Sequence, residues 1–103
     1  GHYFLRHIER NSVLLYIIPA DADDILKQFT ILKSELTRYS PELLDKNFMI
    51  GISKSDILDK ELYTAIEDEC KVAFDQTPFV LFSSVSQQGI TVLKDTLWQL
   101  LND

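Results

Sequence analysis

The apolar residues of this chain are spaced in two ways. Three short unbroken runs, at 13–18, 48–52 and 79–82, are rich in β-branched and aromatic side chains and too short for helices, so they read as buried strands. None alternates apolar with polar, which is the pattern of strands covered on both faces, and the sheet they predict is parallel. Between the first two runs, Ile25, Phe29, Leu32, Leu36 and Tyr39 recur at steps of four and three on one helical stripe. Asp21 or Asp23 caps that helix and Ser40-Pro41 stops it. Pro41 opens a short extra turn over 42–45, capped by Ser40. Between the second and third runs, Asp59 caps a helix whose inward stripe is Leu62, Ile66, Cys70 and Ala73 or Phe74. After the third run, Gly89 precedes Ile90, Leu93, Leu97 and Leu100 at helical spacing, with Trp98 straddling the rim of the stripe. Upstream, residues 3–10 form a further helix with Phe4, Leu5 and Ile8 inward.

Strands and helices therefore alternate, and the chain holds two consecutive crossover units. With the usual right-handed crossover, the fold expected is a three-layer α/β/α arrangement of three parallel strands and about four helices. No repeat, low-complexity tract or linker divides it, and 103 residues support one modest core. Three parallel strands are few for such a layer, and nothing is assigned to the far side of the first. The chain reads as part of something larger.

Composition narrows the function classes. The sequence is 46% apolar and 25% charged, as soluble domains are, with 16 acidic side chains against 10 basic ones and a net charge of -6. That balance, with no run of Lys or Arg, argues against general affinity for nucleic acid or an anionic membrane. The longest apolar run is far short of the ~20 residues of a membrane helix, and no basic-then-apolar leader opens the chain, so a cytoplasmic location and no membrane partner are expected. Cys70 is the single cysteine and permits no internal disulfide. With only His2 and His7 beside it, no metal-ligand spacing assembles, and Cys70 reads as a core residue. No metal site is expected.

Ligands of open α/β sheets bind beyond the carboxyl ends of the strands, so the residues after each run carry the candidate chemistry. After the first run come Asp21, Asp23 and Asp24, with no glycine loop for phosphate; this is the composition of a helix start rather than a cation site. After the second come Ser53, Lys54, Ser55 and Asp56, and after the third Ser83, Ser84 and Val85, continuing to Gly89. The topology makes these two strands neighbours, so their loops converge above the sheet edge. Elsewhere, His7 beside Arg6 and Glu9 reads as a surface or packing residue, and Glu67, Asp68 and Glu69 as a solvated helix face. Ser83, Ser84 and Ser86 lack the Gly-x-Ser-x-Gly elbow of a hydrolase.

Ser53-Lys54-Ser55-Asp56 resembles the Asn-Lys-x-Asp base-recognition motif of P-loop GTPases, and Ser83-Ser84-Val85 resembles their Ser-Ala-x loop. The stretch from His2 to Arg10, containing Phe4-Leu5-Arg6-His7-Ile8-Glu9-Arg10, followed by Asn11-Ser12-Val13-Leu14-Leu15, is similar to the corresponding helix and strand of the Obg family. So is Pro41-Glu42-Leu43-Leu44 ahead of the motif strand. The resemblance runs from Gly1 to the end of the chain and implies the later half of a P-loop GTPase fold. Residues 1–103 would then be a partial GTPase domain that lacks the phosphate-binding loop and the switch segments. The family's chemistry fits these residue types. Guanine presents two N–H donors side by side, and a carboxylate such as Asp56 accepts both in a charge-assisted fork that adenine cannot offer. Lys54 would lay its aliphatic stem along the base, Ser53 would tether the loop, and the backbone N–H of Ser84, held between Ser83 and Val85, would meet the guanine carbonyl.

Two positions depart from the family pattern. Ser53 stands where Asn is usual and has less reach, so looser tethering to the phosphate loop is expected. Ser84 stands where Ala is usual, which matters little for a backbone contact. No Gly-x-x-x-x-Gly-Lys-Ser/Thr loop and no Asp-x-x-Gly segment occurs in the sequence. The resemblance implies that the intact protein binds GTP or GDP with Mg²⁺, hydrolyses GTP slowly and acts in large ribosomal subunit assembly. For the 103 residues alone, weak or undetectable nucleotide binding, no catalytic residue and self-association through an open strand edge are expected. The alternative is a non-enzymatic α/β module that binds a protein partner.

Overall fold

A computed structural model describes residues 13–102; the helix expected over 3–10 lies outside them. The three apolar runs are strands β1 (Val13–Pro19), β2 (Asn47–Ser53) and β3 (Phe79–Leu81), parallel and in the order β1-β2-β3. β1 pairs with β2 along its whole length, from Val13 opposite Asn47 to Pro19 opposite Ser53. β3 pairs with the end of β2, Ile50 opposite Phe79 and Ile52 opposite Leu81. Helix α1 (Ile25–Tyr39) joins β1 to β2, helix α2 (Lys60–Ala73) joins β2 to β3, and helix α3 (Ile90–Leu101) follows β3. Short 3-10 turns occupy Pro41–Asp45 and Ser55–Ile57.

Alternate side chains of a strand face opposite ways, and this divides the core in two. Leu14, Tyr16, Ile18, Ile50, Ile52 and Leu81 face α1 and α2, meeting Ile25, Phe29, Leu32 and Leu36 of the first helix and Tyr63, Ile66 and Cys70 of the second. The rings of Tyr16 and Phe29 meet edge to face at 5.1 Å, as do those of Phe29 and Phe74 at 5.4 Å. On the other face, Met49, Phe82 and Leu93 form a smaller cluster with Leu15, Val80, Ile90, Leu97 and Leu100. The α/β/α layering expected from the sequence is thus present, with both crossovers on one face and α3 on the other.

Several expectations need correction. Among the described residues only α3 packs on the second face, and Ile17, expected in a strand buried on both sides, is 52% exposed. Asp24, not Asp21 or Asp23, caps α1, its carboxylate accepting from the N–H of Lys27 at 3.0 Å. Ser40 precedes its turn without a side-chain cap bond. Asp59 caps α2 as expected, accepting from the N–H of Leu62 at 2.8 Å. The inward stripe of α2 starts at Tyr63 instead of Leu62, which faces solvent. Tyr39, the last residue of α1, and Trp98, on the side of α3 turned away from the Leu93, Leu97 and Leu100 stripe, are also largely exposed.

Candidate functional site

The carboxyl ends of β2 and β3 lie side by side, and the chain must turn sharply to leave each. At the end of β2, Lys54 adopts the left-handed conformation (φ 62°, ψ 33°), which side chains other than glycine adopt at some cost. That reversal directs Ser55 back into the protein, where it is buried, and leaves Lys54 and Asp56 on either side of it exposed. Ser55 is rooted through its backbone: its N–H donates to the carbonyl of Phe82 at 3.0 Å, and its own carbonyl accepts from Leu58 at 3.2 Å. The carbonyl of Ser53 accepts from the N–H of Ala20 at 2.9 Å, fixing the same turn to the end of β1.

The second loop is organised around Ser83, which is fully buried. A hydroxyl has one hydrogen and two lone pairs. The Oγ of Ser83 accepts from the N–H of Val85 at 3.1 Å and of Ser86 at 3.0 Å. Both lone pairs are thereby occupied, and the hydrogen points to Oδ1 of Asp56 at 2.7 Å, the length of a charge-assisted bond. The N–H of Ser84, between these groups, makes no hydrogen bond to another described residue. The loop closes where the N–H of Ser83 donates to the carbonyl of Gln88 at 2.9 Å and where Gly89 takes a positive φ of 73°. A Cβ at Gly89 would lie 2.2 Å from the carbonyl oxygen of Leu81, so only glycine lets the loop return this close to β3.

Of the residues singled out from the sequence, the structure brings Asp56 and Ser83 into direct contact and sets Ser84 and Val85 beside them. Lys54 is placed on the same turn, and Ser53 ends β2 with its backbone engaged by β1. A further residue, Gln88, belongs to the assembly and was not legible: its side-chain oxygen accepts from the hydroxyl of Ser55 at 2.9 Å, across 33 positions of sequence. No spacing rule links two such positions. Among the described residues no group of three or more His, Cys, Asp or Glu is placed to hold a metal ion, and no helix is long and apolar enough to cross a membrane.

No protein-family model matches the chain. Individual relatives do. The chain is 54% identical over 103 residues to the GTPase Obg of Flavobacterium johnsoniae, which covers 100% of this chain and 31% of that protein. It is 54% identical over 102 residues to the GTPase Obg of Flavobacterium psychrophilum, covering 99% of the chain and 30% of that protein. With the GTPase Obg of Parabacteroides distasonis the identity is 51% over 102 residues, 99% of the chain and 26% of that protein. The chain therefore spans less than a third of the length of these relatives. Identity at this level from one end of the 103 residues to the other shows that the chain belongs to the Obg family.

Proposed function

We propose that this stretch is the guanine-reading part of a GTPase domain, and that residues 1–103 are a partial domain whose phosphate-binding loop and switch segments lie outside them. The observation that carries the reading is the bond from Ser83 to Asp56, which joins the two loops that resemble the family's base-recognition motifs. In this reading Asp56 accepts the two adjacent N–H donors of guanine, and the N–H of Ser84 donates to the guanine carbonyl. Lys54 covers one face of the base with its aliphatic stem, and Ser53 with Ser55 shapes the turn. Adenine presents no such pair of donors and would leave the carboxylate with only its bond from Ser83, a difference that supports discrimination between the two bases.

The intact protein is proposed to bind GTP and GDP with Mg²⁺, to hydrolyse GTP slowly and to act in the cytoplasm in assembly of the large ribosomal subunit. The relatives' name, GTPase Obg, supports the first part of this reading. Mg²⁺ and the attacking water fall to the phosphate loop and switch segments in such enzymes. Neither motif occurs in the 103 residues, and no step through the ion is assigned to them. The test is calorimetric titration of the full-length protein with GDP and with ADP, together with an assay of GTP turnover by the full-length protein and by the 103-residue chain. GDP binding without ADP binding, and turnover confined to the full-length protein, are expected. Equal affinity for the two nucleotides, or turnover by the short chain, would overturn the reading.

A further inference from the structure

Asp56 and Ser83 form one side-chain tie between the two loops, and the structure holds a second. Ser55, the residue between Lys54 and Asp56, is 2% exposed, and its hydroxyl hydrogen bonds to the side-chain oxygen of Gln88 at 2.9 Å. Gln88 itself is held firmly. Its carbonyl accepts from the N–H of Ser83 at 2.9 Å, and its N–H reaches Oγ of Ser86 at 3.3 Å. Its neighbours Gln87 (φ 68°) and Gly89 (φ 73°) are both left-handed, and the carbonyl of Leu81 leaves no room beside Gly89. The Gln88 side chain therefore extends from a fixed backbone to the buried root of the opposite turn.

The backbone bond from the Ser55 N–H to the Phe82 carbonyl roots the turn beside the end of β3 but does not reach the residues around Ser84. The Asp56–Ser83 and Ser55–Gln88 bonds tie the turn to the second loop where that loop begins and where it closes, and together they set the distance from the Asp56 carboxylate to the N–H of Ser84. Those two groups are the ones proposed to meet the same edge of one rigid purine, so their separation determines whether both can bond at once. We infer that Gln88 is a positioning residue for base recognition, acting through Ser55 to hold the Asp56 carboxylate and the Ser84 N–H in register for guanine. The inference rests on the base-reading proposal above.

The test compares GDP with inosine diphosphate, whose base lacks the exocyclic amine, in the full-length protein. Gln88→Ala should weaken GDP binding by roughly three- to tenfold, the range of one hydrogen bond, while changing affinity for inosine diphosphate less, so that discrimination between the two shrinks. Ser55→Ala removes the same bond and leaves only an exposed amide that water can satisfy, so it reads the tie without a buried unpaired hydroxyl. It should shrink discrimination as much as Gln88→Ala, and the double variant no further. Gln88→Glu keeps an acceptor oxygen and should restore most of the discrimination. If Gln88→Ala and Ser55→Ala weaken both nucleotides in equal proportion, or if their effects on discrimination add in the double variant, the inference is overturned. Asp56→Asn in parallel separates the two failures. Unchanged preference for guanine in that variant removes the base-reading proposal itself, whereas a changed preference with unaffected Gln88 and Ser55 variants removes only the role of Gln88.

Discussion

Ser83 has every bonding position of its hydroxyl in use, so replacing it affects both its own loop and the opposite one. Ser83→Ala frees two exposed N–H groups and releases the Asp56 carboxylate from its fixed orientation. A stability loss of about 1 kcal/mol by urea unfolding and a loss of roughly tenfold in GDP affinity in the full-length protein are expected. Gly89→Ala should act on folding more strongly. A side chain at φ 73° costs about 1–2 kcal/mol before the clash with the Leu81 carbonyl is counted, so an unfolding free energy lowered by at least about 2 kcal/mol, read by urea unfolding, is predicted. The candidate residues were legible because their chemistry and order can be read locally: an acid two residues after a lysine at one strand end, and serines at the next. Gln88 was not, since its role depends on reaching a residue distant in sequence, and nothing in its own neighbourhood marks that reach.

At the level of elements, α2 shows what periodicity conveys and what it leaves open. Steps of three and four from Ile66 lead to Tyr63 or to Leu62, and both fit a helical stripe; the sheet lies on the side of Tyr63, which the spacing alone does not specify. Cys70 lies in the middle of the stripe, where either phase buries it, and it is 1% exposed, as its spacing predicts. Burial, reinforced by Glu69 and Glu67, pushes its thiol from the ordinary 9.0 up to about 11. The unfolded chain therefore releases this proton first, and between about 9 and about 11 the folded state binds more protons than the unfolded one. Stability contributed by the neutral thiol is complete below that window and falls as pH rises through it. Urea midpoints measured across the window should decline more steeply in the wild type than in Cys70→Ala. Phe74, buried against Phe29, should be costly to truncate, with Phe74→Ala losing about 3 kcal/mol by urea unfolding.

In the molecule as a whole, the element order and the absence of alternation in the runs were enough to predict the parallel sheet and its layers, because each βαβ unit has few ways to close. Among the described residues the uneven cover of the second face was not predictable, since it depends on where α3 comes to rest. β1 pairs on one side with β2 and on the other with no described strand, and Ile17 is exposed next to that edge. An unpaired apolar edge recruits a partner strand. The isolated 103-residue chain is accordingly expected to self-associate, and light scattering that gives a monomer at high concentration would contradict this. The central claim, that two loops at neighbouring strand ends read guanine through Asp56, is tested most directly by exchanging the carboxylate for an amide. The amide of Asp56→Asn can accept one N–H and donate to the second carbonyl of xanthine. Calorimetric titration of the full-length Asp56→Asn protein should show preference shifted from GDP to xanthosine diphosphate, and an undiminished preference for GDP would contradict the account.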